Sequence, residues 1–118
     1  EWAKKFGEAD GYVCVSPEYN HGYTASLKNA LDYVYFEWNR KPVSFVSYGT
    51  VGGARSIEQL RLVAIELQIA PLRNAVNIWK HWTLPDSPDK FAPYERDADA
   101  LIDELMWWTK ALKEAREK

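Results

Sequence analysis

Three short β-prone runs, each separated from the next by a stretch of helical spacing, constrain this chain more than any other feature. Residues 12–16 read YVCVS, residues 43–48 read VSFVSY and residues 74–79 read NAVNIW. The first run is continuous rather than alternating, the pattern of a parallel strand covered on both faces. Between the first two runs, Leu27, Ala30, Leu31, Val34 and Trp38 recur at i, i+3, i+4, i+7 and i+11, which predicts an amphipathic helix with Thr24 as its N-cap. Ile57, Leu60, Ala64 and Leu67 repeat the device before Pro71. Strands alternating with helices of this length require right-handed crossovers and a parallel sheet. The expected order is α, β, α, β, α, β, loop, α in one α/β domain over residues 1–118. Trp2, Phe6 and Ala9 mark the first helix, interrupted near its end by Gly7. Ala98, Leu101, Ile102, Leu105, Trp108 and Leu112 mark the last, from about Glu95 onward. Residues 83–93 hold three prolines and no periodicity, and read as a loop or lid.

Composition narrows the partners. With 118 residues the chain supports one hydrophobic core and not two. A net charge of -2 and a pI near 5.7 argue against a nucleic-acid partner, which needs a basic face. No apolar run approaches the roughly 20 residues of a membrane span, and no secretory signal opens the chain. Cys14 is the single cysteine and sits in the apolar run GYVCVS, so it reads as a strand residue rather than a thiol catalyst. One cysteine allows no disulfide within the chain, which fits a reducing cytoplasm. Six Trp and seven Tyr are many for this length and predict large aromatic surfaces in the core or between subunits. The only methionine is Met106 and no capping residue precedes the first helix, so the chain reads as a piece of a longer protein.

Two loops carry the functional signal. SPEYNHGY, residues 16–23, follows the first strand, and SYGTVGG, residues 47–53, follows the second. Parallel strands place both on one rim of the sheet, at the carboxyl ends where ligands sit in open α/β folds. Pro17 cannot donate to a ladder and is expected to end it, leaving the amides of Glu18, Tyr19 and Asn20 on display. The second loop lacks the Lys-Ser/Thr pair of a nucleotide phosphate loop, and its glycines do not match the dinucleotide pattern. Gly49, Gly52 and Gly53 would still allow close backbone approach to a flat ligand near a helix N-terminus. His21, His81 and Glu18 match no metal-ligand spacing, so no metal is expected. Arg55 could meet a cofactor phosphate or pair with a surface acid; the surface acid is favoured. No catalytic triad is legible.

SPEYNHGYTASLKNALDYV, SYGTVGGARSIEQLR and ELQIAPLRNAV, in this order and at these spacings, resemble the NAD(P)H-dependent FMN reductases of the flavodoxin-like superfamily. The likeness covers nearly the whole chain. It implies a flavodoxin-like three-layer αβα fold with a parallel sheet, bound FMN, NAD(P)H as reductant and a small electron acceptor such as a free flavin or a quinone. It implies that Pro17, Glu18, Tyr19 and Asn20 meet the isoalloxazine ring largely through backbone groups, with Tyr48, Gly49, Gly52 and Gly53 opposite. It also implies a homodimer or homotetramer. The family's phosphate-binding loop, which follows its first strand, has no counterpart in these residues. The resemblance therefore points to the C-terminal portion of such a domain, with one apolar strand edge exposed. The competing reading is a non-catalytic flavodoxin-like subunit that binds a protein partner through that edge.

Overall fold

The structure, a computed structural model, describes residues 1–118. Its elements run α1 (Trp2–Glu8), β1 (Tyr12–Pro17), α2 (Ala25–Asp32), β2 (Pro42–Gly49), α3 (Ala54–Glu66), β3 (Ala70–Trp79) and α4 (Glu95–Glu117), with short 3-10 turns at His81–Thr83 and Ala92–Tyr94. The three strands form one open parallel sheet in the order β1-β2-β3, as the alternation of runs and helices requires. No helix is long and apolar enough to cross a membrane.

Alternation along the strands sorts the core into two layers. Val43 and Phe45 of β2 point to one face, where they pack with Ile57, Leu60 and Ala64 of α3 and with Leu67 just after it. Phe6 of α1 and Leu27 and Leu31 of α2 close the same layer over Tyr12 and Cys14. On the opposite face α4 lies across β2 and β3, burying Leu101 against them. It leaves β1 uncovered there: Val13 and Val15 are 47% and 61% exposed. The unpaired side of β1 is the apolar edge that the sequence leads one to expect. Beside it, Trp2, Phe6, Tyr12, Cys14, Leu27 and Leu31 line a groove of about 350 Å³.

Two expectations need correction. The helix after Thr24 is capped as read, with Leu27 N donating to Thr24 Oγ1 at 3.2 Å, but it ends at Asp32 rather than reaching Trp38. The following Tyr33–Phe36 stretch is β-branched or aromatic throughout, a poor helix continuation. A turn brings Trp38 back so that its Nε1 donates to Leu31 O at 3.0 Å, satisfying a carbonyl orphaned at the helix end. Its ring is 4% exposed and packs 4.2 Å from Phe6, so the turn delivers the side chain that helical spacing assigned to the core. Second, β3 begins at Ala70, not residue 74, and contains Pro71. An edge strand tolerates proline because the missing N–H costs no interior ladder bond. Of the six tryptophans only Trp38 is buried, and Trp79, Trp82 and Trp107 are each more than half exposed.

Candidate functional site

Both rim loops lie at the carboxyl end of the sheet, and their details depart from the simple picture. Pro17 is the last residue of β1, opposite Tyr48, and the ladder continues one bond past it: Glu18 N donates to Tyr48 O at 3.1 Å. Proline forfeits only its own N–H, so the next residue can still pair. Tyr19 and Gly22 then exchange backbone bonds at 3.0 and 3.1 Å, closing a tight turn. The amides of Glu18 and Tyr19 are thus used within the chain. Those of Asn20 and His21, at φ 51° and 69°, make no hydrogen bond in it.

In the second loop, the amides of Thr50, Val51 and Gly53 are free while Gly52 N donates to Gly49 O at 3.2 Å. The Gly52 carbonyl accepts from Ser47 Oγ at 2.6 Å and from Asn77 Nδ2 at 3.0 Å. No peptide is cis, and in a trans peptide N–H and C=O point in opposite directions, so the Gly53 N–H turns away from those two side chains. Gly53 is itself buried. A buried donor without a partner is costly, and a ligand acceptor would satisfy it. Ser47 and Asn77 therefore aim the loop, a role the sequence reading did not give them.

The glycines serve the chain before any ligand. Gly52 and Gly53 have φ of 65° and 71°. A Cβ on Gly52 would lie 2.9 Å from Asn77 Cβ, and one on Gly53 would lie 2.5 Å from Ser47 Oγ. Close backbone approach is real here, but to the protein's own β2 and β3 ends. Tyr48, half-buried, meets the His81 ring edge-on at 4.9 Å, and His81 in turn meets Trp82 at 5.2 Å. This aromatic row flanks the glycine loop, tied to it by Lys80 N donating to Gly49 O at 2.8 Å.

Glu18, expected to act largely through its backbone, also has a fixed side chain. Its side chain is 5% exposed, and one carboxylate oxygen accepts from Arg55 N at 3.1 Å while the other accepts from Arg55 Nε. The carboxylate caps the N-terminus of α3, where Gly53 as N-cap has no side chain to do so. Arg55 pairs with an acid, but with this buried carboxylate of the candidate loop and not with the surface acid that the sequence favoured. Arg55 Nη1 also lies 3.0 Å from His21 Nε2, and Gln59 Nε2 donates to His21 O at 2.8 Å. Arg55 and Gln59, at i and i+4 on one face of α3, thus grip the first loop at its acid, its ring and its carbonyl. His21, His81 and Glu18 do not converge, and no group of three metal-ligating side chains is close enough together to hold an ion.

Two half-buried groups on β1 have raised pKa values. Burial pushes the Cys14 thiol up to about 11, which leaves it protonated and unreactive at neutral pH. Burial likewise pushes Tyr12 up to about 12, at the opposite end of the sheet. What the rim offers is a set of oriented N–H groups without partners in the chain, an arrangement suited to an electron-rich, flat ligand edge.

An open parallel sheet with two such loops on its carboxyl rim is a flavodoxin-like architecture. The chain belongs to the NADPH-dependent FMN reductase family, whose sequence model matches residues 1–83. It is 38% identical over 117 residues to an NAD(P)H-dependent FMN reductase of Schizosaccharomyces pombe, which covers 98% of this chain and 52% of the relative. It is 47% identical over 62 residues to the NAD(P)H-dependent FMN reductase LOT6 of Saccharomyces cerevisiae, covering 52% of this chain and 32% of that one. An NADPH:quinone oxidoreductase of Arabidopsis thaliana is 40% identical over 70 residues, covering 56% and 36%. The chain thus spans about half the length of the fission-yeast relative and about a third of the other two. Among solved structures, FerB of Paracoccus denitrificans, a flavoenzyme NAD(P)H:(acceptor) oxidoreductase, matches with a TM-score of 0.69 over 95% of this chain and 65% of its own, at 19% identity. That likeness shows the fold.

Proposed function

We propose that this chain forms part of an FMN-dependent NAD(P)H oxidoreductase that passes two electrons to a small acceptor, a quinone or a free flavin. The observation that carries the reading is the set of unpaired amides of Asn20, His21, Thr50, Val51 and Gly53 on one rim, in a family named for FMN reduction. In this reading Pro17, Glu18, Tyr19 and Asn20 border one side of the ring, and Tyr48, Gly49, Gly52 and Gly53 the other. When bound, FMN supplies the hydride chemistry. The chain's own groups orient the ring and place N–H dipoles where negative charge gathers on reduction. No side-chain acid or base is required of it.

The 118 residues match 52% of the fission-yeast relative and are proposed to act within a longer flavodoxin-like domain, with segments outside them contacting the flavin phosphate. Exposed aromatic side chains favour a homodimer or homotetramer, and the single half-buried cysteine a cytoplasmic setting. A second reading draws on the uncovered Val13 and Val15: a subunit without activity that recruits a partner along β1. Titrating the protein with FMN, then adding NADPH or NADH with a quinone, separates the two. Bound yellow flavin and acceptor-dependent oxidation of the nicotinamide support the enzyme. No FMN binding and no oxidation would favour the partner-binding subunit.

A further inference from the structure

Glu18 is a charged side chain withdrawn almost entirely from water, 37 residues from its partner in sequence and in a different loop. A buried charge is tolerated only where it is paired and hydrogen-bonded, so this carboxylate has one favourable position. Both of its oxygens meet Arg55, one at the backbone amide and one at the guanidinium. Such two-point attachment fixes orientation as well as distance.

The consequences run in two directions. On the first loop, the Tyr19–Gly22 bridge makes residues 19–22 a closed turn, and Arg55 and Gln59 hold its His21. Because a guanidinium has no acceptor, the His21 contact requires Nε2 to be the bare nitrogen and Nδ1 to carry the proton. On the second loop, Arg55 comes two residues after Gly53, whose free amide sits at the start of α3. Whatever moves Glu18 against Arg55 therefore moves the two sets of free amides against each other.

We propose that Glu18 is a positioning residue: with Arg55 it forms a strut across the rim that sets the separation of the amides of Asn20 and His21 from those of Thr50, Val51 and Gly53. This rests on the reading above that those amides bind one ring, and it adds a side-chain role to a loop expected to work largely through its backbone. Glu18→Gln keeps the size and one acceptor, but whichever way its amide turns, its NH₂ group faces one of the two Arg55 donors, N or Nε. Arg55→Lys keeps the charge and the backbone amide but removes the planar fork.

The test uses ¹⁵N-labelled protein, wild type and both variants, with amide spectra recorded before and during FMN titration. Glu18→Gln should move the Thr50, Val51 and Gly53 amide resonances of the ligand-free protein as well as those of Asn20 and His21. It should raise the Kd for FMN about tenfold, the value of one charge-assisted hydrogen bond, and shift the visible spectrum of the bound flavin, which a purely structural loss elsewhere would leave alone. Should Glu18→Gln fail to fold, Arg55→Lys carries the same expectations at smaller size. Unmoved Thr50–Gly53 resonances, or an FMN affinity and flavin spectrum unchanged in a folded variant, would overturn the strut. If wild type itself binds no FMN, the proposed function fails, and the strut is then decided by the ligand-free spectra alone.

Discussion

Replacing Gly53 by alanine puts one methyl group where the structure has no room for it. The new Cβ would sit 2.5 Å from both Cβ and Oγ of Ser47 and 2.9 Å from Tyr48 N. Ser47 is fully buried in β2 and Tyr48 N belongs to the strand backbone, so neither can retreat as a flexible side-chain end would. Three costs add. Holding a non-glycine residue at φ 71° costs about 1–2 kcal/mol. Forcing a methyl into packed surroundings costs about 1–3 kcal/mol. Displacing Ser47 Oγ from Gly52 O costs about 1 kcal/mol more. The sum is about 3–6 kcal/mol, a large part of the roughly 5–15 kcal/mol that holds a domain folded. With a urea slope of about 2 kcal/mol/M, the midpoint should fall by about 1.5–3 M. Urea titration followed by far-ultraviolet circular dichroism reads this directly. A midpoint within about 0.3 M of wild type, at an unchanged slope, would show that the loop relaxes freely and that Gly53 is not required by packing.

Gly7→Ala should act in the opposite sense. Gly7 lies in α1 with only Glu37 Cγ, at 4.0 Å, near its would-be Cβ, so the change should stabilise by about 0.5–1 kcal/mol through helix propensity; a lower urea midpoint would contradict this. Acid should weaken the fold through Asp10, whose carboxyl is held below its ordinary value by the hydrogen bond from Lys113 and by the Lys113 and Arg116 charges. A depressed carboxylate gives its stabilisation in full above its unfolded value and loses it as the pH falls through the folded one, so the loss should begin below about pH 4. Asp10→Asn should flatten that part of the pH–stability curve, and an unchanged curve would remove Asp10 from the account.

How much of this was legible in the chain follows from the range of each signal. The Thr24 cap, the three strand runs and their parallel order depend on local pattern and on crossover geometry, and all are present in the structure. The end of α2 was hidden because a turn carries Trp38 to the place where helical spacing puts it. Pro71 read as a stop because its tolerance depends on β3 being an edge, a property of the sheet rather than of the residue. At the site, the proline-led loop and the glycine loop were found by their position after strands. The Glu18–Arg55 pair was not placed, since no periodicity links residues 37 apart. The i, i+4 spacing of Arg55 and Gln59 was the one available hint. The glycines were recognised, but their immediate reason, the Ser47 and Asn77 side chains beneath them, needed coordinates.

The central claim is that backbone amides on two rim loops, rather than the open β1 edge or its groove, receive the flavin. Mapping amide resonances of the protein as FMN is added tests it most directly. The largest shifts are expected at Asn20, His21, Thr50, Val51 and Gly53, with Val13 and Val15 unmoved. Shifts centred on β1, α1 and α2, around the groove lined by Trp2, Phe6 and Leu31, with the rim amides silent, would contradict it.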